Sequence, residues 1–156
     1  MKYLSTLVAG LLTGAVALQF STAASGQGDG WIKLIDGNYK ASDWSEVSKA
    51  NWEMKDGALT ADKLDGKDPS YLVSKDSYKD FVIQAEFWAD DAANSGIFIR
   101  CDARDKIDAK ICYEVNIFDK RPDPSYGTGA IVDVAKVDPM PKAGGKWNTY
   151  EITAKG

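Results

Sequence analysis

Four side chains suited to chemistry or ligand binding lie inside short apolar segments, where a core strand would carry apolar residues. They are Glu86, Arg100, Glu114 and Asn116. A carboxylate in such a place can act as a general base, and a guanidinium can stabilise a negative charge that develops beside it. The plain alternative is a wet sheet face on which Arg100 and Glu114 form an ordinary cross-strand pair. The residue types alone leave both interpretations open.

Histidine is absent from the 156 residues, which narrows the chemistry. The absence excludes Ser-His-Asp and Cys-His nucleophile systems, histidine general bases and zinc sites built on histidine. The groups that remain for catalysis or binding are carboxylates, Lys, Arg, Tyr, amides, or a metal held by oxygen ligands alone. We therefore predict no cofactor, although the composition is compatible with an oxygen-ligated divalent metal. The net charge is −4 and no Lys/Arg cluster is present, so nucleic acid is not expected as a partner.

The segments that must position these side chains are short and strand-like. Helical periodicity is weak, and Gly, Asp, Asn and Pro separate the apolar runs along the chain. This pattern is typical of an all-β antiparallel sandwich or jelly roll. Because alternate residues of a strand share a face, the runs 81–89, 97–101 and 112–119 should each have one apolar and one mixed face. We expect the three mixed faces to gather the four polar residues beside Trp88 and Phe98.

A concave sheet with this mixture of side chains is suited to holding a sugar. The indole ring of Trp88 can stack on the apolar face of a sugar ring, while the polar side chains bind its hydroxyl groups. The loop DDAANSGI brings Asn94, Ser95 and Gly96 to the edge of the same face. From the pattern alone the wet face is the favoured interpretation, and a carbohydrate site is the functional alternative.

The N-terminal 25 residues have the pattern of a secretory signal peptide. Lys2 precedes the apolar run LVAGLLTGAVAL, and STAAS offers small residues for cleavage after Ala24, with Thr22 at the minus-three position. The run is shorter than the about 20 residues that a membrane-spanning helix needs. We therefore predict a signal peptide over residues 1–25 and a single exported domain over residues 26–156, secreted or periplasmic and free of the membrane.

Cys101 and Cys112 are predicted to form a disulfide, because an exported chain with an even number of cysteines normally pairs them. The bridge would close a short loop and stabilise the fold by roughly 2–3 kcal/mol. Free thiols with a redox role are the less favoured alternative, since the spacing is not C-x-x-C. Alternation places Cys101 on the face opposite to Arg100, whereas Cys112 shares the face of Glu114. A disulfide therefore requires a bulge or twist near the loop.

Several longer stretches resemble the 3-keto-disaccharide hydrolase family, within the concanavalin A-like lectin/glucanase superfamily. The resemblance rests on FVIQAEFWADDAANSGIFIR, CYEVNIFD, GTGAIVD and PKAGGKWNTYEITAKG, and upstream on WIKLIDGNYKASDW, WEMKDGALTA and YLVSKDSYKDF. It covers nearly the whole chain after the signal peptide, in order. It implies a jelly roll of two curved antiparallel sheets with a carbohydrate site on the concave face. The family's closing strands are missing, so we expect a domain that is incomplete at its C-terminus.

The family is associated with cleavage of glycosidic bonds in sugars oxidised at carbon 3. A 3-keto group acidifies the proton on carbon 2, a base removes it, and the group on carbon 1 is then eliminated, so two flanking carboxylates are not needed. The resemblance implies that Glu114 or Glu86 is the base and that Arg100 stabilises the enolate oxygen or orients a carboxylate. The residues expected to bind the substrate are Asn116, Asn94, Ser95, Trp88 and Asp119, the last at the strand end.

A non-catalytic carbohydrate-binding module is the main alternative to an enzyme, since the same concave face would serve both. A lectin needs stacking rings and hydroxyl-binding partners, but it needs no base shielded from water. A strongly raised pKa at Glu86 or Glu114 would favour the enzyme. A family 16-type glucanase fits less well, because the chain lacks carboxylates at E-x-D-x-E spacing. In each case the expected partner is an oligosaccharide or glycoside.

Overall fold

The computed structural model describes residues 8–19, 30–35 and 40–156. Its regular structure in these ranges consists of ten β-strands and two short 3-10 helices, Ala41–Asp43 and Pro124–Tyr126. No helix in the described ranges is long and apolar enough to cross a membrane. In chain order the strands are β1 (Val8–Thr13), β2 (Val16–Gln19), β3 (Trp44–Val47), β4 (Glu53–Lys55), β5 (Ala58–Ala61), β6 (Ser70–Ser74), β7 (Phe81–Ala89), β8 (Asn94–Ile99), β9 (Tyr113–Ile117) and β10 (Trp147–Ala154).

The strands form two five-stranded sheets, in which neighbouring strands run antiparallel. Sheet A has the order β3-β6-β1-β8-β9, and sheet B has the order β10-β7-β2-β5-β4. The sheets face each other across one apolar core. Sheet A contributes Leu72, Ile97 and Val115 to this core, and sheet B contributes Leu59 and Phe87. The chain is thus an all-β antiparallel sandwich, which confirms the predicted fold class.

Alternation determines which side chains each strand contributes to the core. Along β7, Ile83, Ala85 and Phe87 are buried, whereas Gln84 and Glu86 between them are partly exposed. This is the period-two pattern of a strand with one face on the core and one face toward solvent. Strand β8 differs, because a second apolar cluster covers its outer face as well. This second cluster consists of Tyr71, Val73, Phe98, Cys101, Ile107 and Cys112.

The predicted disulfide joins Cys101 to Cys112 and closes the loop between β8 and β9. Both residues lie in the second apolar cluster together with Phe98. The phase shift that this arrangement requires occurs at Arg100, whose backbone has a φ of 53° immediately before Cys101. A non-glycine residue in this left-handed region turns the chain sharply, so Cys101 returns to the face that Phe98 occupies. The predicted twist near the loop is confirmed.

Strands β1 and β2 come from the N-terminal segment whose composition predicts a signal peptide. β1 pairs with β6 and β8 in sheet A, and β2 pairs with β5 and β7 in sheet B. The apolar composition that favours a signal peptide also suits a strand enclosed between two neighbours. The rest of the predicted leader, including its cleavage position after Ala24, lies outside the described residues, so cleavage stays a prediction. Cleavage after Ala24 would remove β1 and β2, which are the middle strands of sheet A and sheet B.

Removal of residues 1–24 should therefore destabilise the fold. The deletion leaves the backbone groups of four neighbouring strands without their ladder partners, and unpaired edges promote aggregation. We expect the 25–156 chain to melt roughly 10 °C or more below the 1–156 chain, since each kcal/mol lost lowers the melting temperature of a chain of this size by about 2–4 °C. Circular dichroism melts of both chains, produced without export and oxidised in vitro, measure the difference. Equal melting temperatures would show that β1 and β2 add nothing to the sandwich.

Candidate active site

A row of four residues crosses the outer face of sheet A, and its two middle members are glycines. The register aligns Tyr71 of β6 with Gly10 of β1. It then aligns Gly10 with Gly96 of β8, and Gly96 with Asn116 of β9. Three strand spacings make the row about 14 Å long. This set is termed the glycine row, and at Gly96 it leaves a space above β8 that any other residue type would fill with a side chain.

Glu114 of β9 reaches into the space that Gly96 leaves. A Cβ atom placed on Gly96 would lie 3.1 Å from Cγ of Glu114 and 3.2 Å from its Oε1, which is tighter than ordinary contact. Glu114 is only 7% exposed. Burial raises the pKa of its carboxyl from 4.5 to about 7, because the charged form loses hydration; Arg121 opposes this rise and Asp133 adds to it. Gly96 is thus what allows a buried, weakly acidic carboxyl at this position.

Tyr71, which forms the β6 end of the glycine row, keeps its phenolic proton at neutral pH. Burial is the main reason that its pKa rises from 10.0 to about 12, and the negative charges of Glu114 and Asp108 add to the rise. Its ring packs edge-on against Phe98, with 5.4 Å between the ring centroids. The effect of Glu114 on Tyr71 indicates that both groups belong to one electrostatic environment. A carboxyl poised near neutrality and a phenol that remains a hydrogen-bond donor can share acid–base work.

The cation whose charge acts on Glu114 is Arg121, not the predicted Arg100. Arg121 lies partly buried in the loop after β9, and its charge counters the effect of burial on the pKa of Glu114. Arg100 instead donates to the carbonyl oxygen of Gly156 at 2.8 Å and pairs with Asp80 at 3.4 Å. The positive φ at Arg100 breaks the alternation that would place it beside Glu114. The expectation that Arg100 shares this face is corrected accordingly.

Sequence reasoning missed Tyr71 and Arg121, and it gave Gly96 no role beyond a position at the edge of the face. Arg121 follows β9 in a loop, where no periodicity indicates which way a side chain points. Tyr71 belongs to a short run of buried residues whose two faces cannot be distinguished by hydrophobicity. One signal was present at Gly96, because an isolated glycine inside a strand pattern marks a close approach of another group.

Asn116 closes the row and is 0% exposed. Its amide nitrogen donates to the carbonyl oxygen of Tyr126 at 2.7 Å, while its amide oxygen meets no donor among the described residues. Buried acceptors normally have a partner, so this oxygen is suited to a hydroxyl group that enters the row. The backbone of Asn116 is held firmly, because its carbonyl oxygen accepts from Gly129 N–H at 3.0 Å and from the Tyr150 hydroxyl at 2.6 Å.

Asp119 anchors the chain just after β9. Its carboxylate accepts hydrogen bonds from the Thr128 hydroxyl at 2.6 Å and from the backbone N–H groups of Ala143 and Gly144, each at 2.9 Å. Burial acts to raise the pKa of Asp119, but these three donors and Lys142 together hold it below its ordinary value. The carboxylate therefore joins two loops to the end of β9, and its contact with substrate stays a prediction.

Asn94 and Ser95 fall on opposite faces of β8. Alternation places Asn94 on the outer face with Gly96, so it shares the face of Glu114. Ser95 is buried on the side of β8 that carries Ile97 into the core. The expectation that both line one face holds for Asn94 alone, because adjacent residues of a strand point to opposite faces.

Glu86 and Trp88 lie on the other side of the molecule. They belong to β7 in sheet B and alternate with Ala85 and Phe87, which fill the core. Glu114 lies on the outer face of sheet A, so the core separates the two carboxylates. The expectation that Glu86, Trp88 and Glu114 gather on one face is wrong, because the link between β7 and β8 crosses from one sheet to the other. Glu86 and Glu114 are therefore candidates for two different sites.

The expectation that the protein uses no cofactor stays a prediction. Across residues 8–19, 30–35 and 40–156, no group of three or more Cys, Asp or Glu side chains is arranged to hold a metal ion. The functional groups at and around the glycine row are a buried carboxyl, a phenol, an amide and a guanidinium. This set can accept a proton and stabilise a negative charge.

A family model described as the 3-keto-alpha-glucoside-1,2-lyase-like domain matches residues 30–156, which include all the residues of the site except Gly10. The chain belongs to this family. This is the 3-keto-disaccharide hydrolase family that the sequence motifs resemble, so the predicted family is confirmed. No curated protein and no solved structure matches the chain. Family membership supports a carbohydrate-active function and a carbohydrate substrate.

Gly96→Ala should lower activity while leaving the sandwich folded. The added methyl group displaces the Glu114 carboxyl, and misplacement of a reacting group by about 1 Å can cost 10²-fold in rate. We expect kcat on a 3-keto-glucoside, the substrate type of the family, to fall by about ten- to a hundredfold. The control is Ser45→Ala, at an exposed position on β3 of the same sheet. An unchanged kcat in Gly96→Ala would contradict the placement of Glu114 against Gly96.

Glu114→Gln should stabilise the protein at alkaline pH. The folded-state pKa of about 7 lies above the ordinary 4.5, so the native chain holds this proton more tightly than the unfolded chain does. The free energy of unfolding of the wild type therefore falls as pH rises between these values, whereas the amide cannot ionise. The quantity to measure is the melting temperature of the variant minus that of the wild type. We expect this difference to be several degrees higher at pH 8 than at pH 5.

The matched control for this measurement is Glu151→Gln, an exposed position on β10. Its difference from wild type should be the same at both pH values. If Glu114→Gln behaves in the same way, the carboxyl of Glu114 is not buried in the folded protein.

Proposed function

We propose that this protein cleaves the glycosidic bond of sugars oxidised at carbon 3, by elimination between carbons 1 and 2. The observation that carries the proposal is the burial of Glu114 beside Gly96, which raises the pKa of its carboxyl to about 7. A base with a pKa near the working pH is half ionised there and still strong enough to accept a proton. The family description, which names a 1,2-lyase, supports the same bond.

The reaction needs one base and one stabiliser of negative charge. The keto group at carbon 3 acidifies the carbon 2 proton, and the Glu114 carboxylate takes that proton as the C–H electrons form an enolate. The enolate then collapses to a C1–C2 double bond, and the C1–O bond breaks. The leaving alkoxide takes up the proton that Glu114 now carries, so the carboxylate is regenerated. Addition of water to the product completes a net hydrolysis.

Tyr71 and Arg121 are the groups proposed to stabilise the enolate oxygen. Tyr71 remains protonated at neutral pH, since its pKa is about 12, and can donate a hydrogen bond. Arg121 supplies a positive charge close enough to Glu114 to lower the pKa of its carboxyl, and this charge can also stabilise the enolate oxygen. In this role it takes the place that sequence reasoning gave to Arg100. One well-placed donor to such an oxyanion is worth about 10²–10³ in rate. Asn116 offers a sugar hydroxyl its amide oxygen, which meets no donor in the part of the chain that the structure describes.

The protein is proposed to work outside the cytoplasm. The disulfide between Cys101 and Cys112 suggests an extracellular or periplasmic environment, because thiols stay reduced in the cytosol. The substrate would then be a glycoside that another enzyme has already oxidised at carbon 3.

Release of an aglycone from a nitrophenyl 3-keto-glucoside, compared with the unoxidised glucoside, tests the proposal. The 1–156 chain should release nitrophenol from the keto sugar alone, with kcat/KM rising with pH through about 7 as Glu114 ionises. Glu114→Gln should lower kcat by about 10²–10⁴-fold. Glu151→Gln, which changes an exposed carboxylate on sheet B, should leave the rate unchanged.

Two results would contradict the proposal. Loss of turnover in Glu86→Gln with full turnover in Glu114→Gln would place the base on sheet B. Binding of the keto-glucoside without release at any pH would favour the non-catalytic carbohydrate-binding module.

A further inference from the structure

An open cleft of about 520 Å³ lies on the outer face of sheet B, across the core from Glu114. Its volume falls within the roughly 300–1,000 Å³ that small-molecule sites occupy. The aromatic and polar side chains that line the cleft come from four different strands or turns. They are Trp88, Trp147, Glu86, Thr60, Lys55 and Asp56.

The cross-strand register explains the shape of the cleft. Trp147 of β10 lies directly opposite Trp88 of β7, so two indole side chains stand next to each other on the outer face. Trp88 in turn lies opposite Ala17 of β2, and Ala17 lies opposite Thr60 of β5. The small side chains beyond the two indoles form a low floor. Lys55, at the end of β4, and Asp56, in the turn between β4 and β5, complete the lining.

The two indoles are not needed to fill the core. Along β7 the core positions are taken by Ala85 and Phe87, and Trp88 points the other way. Trp147 is 50% exposed. Adjacent exposed aromatic rings are costly in water, and such patches mark surfaces that bind a ligand.

The polar groups around the indoles fit a neutral polyol better than a charged ligand. Glu86 and Asp56 bring carboxylates, Thr60 brings a hydroxyl and Lys55 brings one ammonium group. Two acids and one base repel a polyanion such as nucleic acid, which needs a cluster of cations. A sugar ring instead offers an apolar face for stacking and a rim of hydroxyls for carboxylate and hydroxyl partners.

We infer that this cleft is a second carbohydrate-binding site, which takes an unoxidised oligosaccharide. It is separate from the proposed active site, since the two sheets alone are about 10 Å apart and each site faces outward. A single sugar ring cannot reach both Glu114 and Trp147. The cleft has the open form of a binding platform and would hold a glycan chain while the opposite face acts on an oxidised sugar.

Titration of the 1–156 chain with maltotetraose and with cellotetraose tests the inference. Tryptophan fluorescence and calorimetry report binding, and neither probe carries a keto group. We expect at least one of them to bind, and Trp147→Ala to weaken that binding by about tenfold, the loss that one stacked ring typically causes. Lys55→Ala is the second cleft variant and should also weaken it. The control is Trp31→Ala, which removes an indole of the same 50% exposure outside the cleft.

Failure of both probes to bind the wild type would overturn the inference, as would equal binding by Trp147→Ala and Trp31→Ala. The proposed function is tested separately through Glu114→Gln. If that variant loses tetrasaccharide binding, the sugar sits on sheet A, and the inference fails while the proposed chemistry stands. If the wild type binds through Trp147 but never cleaves a keto-glucoside, the inference stands and the proposed function fails.

Discussion

The burial of one carboxyl group beside a glycine is the constraint on which the outer face of sheet A depends. Glu114 can occupy that position only because Gly96 has no side chain. Burial penalises its ionised form, and Arg121 offsets only part of that penalty. A tight ion pair would have lowered the pKa and made the carboxylate a weak base, since a strong partner stabilises the charged form. The balance between burial and partial compensation is what brings the pKa to about 7.

Such a carboxyl has to be held in place, and the chain fixes β9 from several directions. The carbonyl oxygen of Asn116 accepts from the Tyr150 hydroxyl and from Gly129 N–H, and Asp119 gathers donors from two further loops just beyond the strand. The disulfide closes the chain immediately before β9, at Cys112. Both ends of a five-residue strand are thus tied down, so Glu114 is presented from a rigid element, as its proposed role as a base requires.

The alternation of apolar and polar residues was sufficient to predict the fold class and the two faces of individual strands. It was not sufficient to predict which strands come together to form the site. Alternation identified Glu114 and Asn116 on one face of β9, and it required the twist that Arg100 provides. It could not show that β7 and β8 enter different sheets, because a strand's own residues do not identify its neighbours. The glycine row is non-local for the same reason: Gly10 and Gly96 meet only through the pairing of β1 with β8.

The link between β7 and β8 therefore divides the chemistry of the chain between two faces. Asp90 holds this link against the turn after β1, because its carboxylate accepts from Ala15 N–H at 2.6 Å and from Ala92 N–H at 2.7 Å. Residues before it, such as Trp88, face solvent from sheet B, and residues after it line the outer face of sheet A. A base works best where water is excluded, whereas a stacking platform must stay open to a polymer. The two proposed sites can share a short stretch of sequence because the sandwich places its two halves on opposite sides of one core.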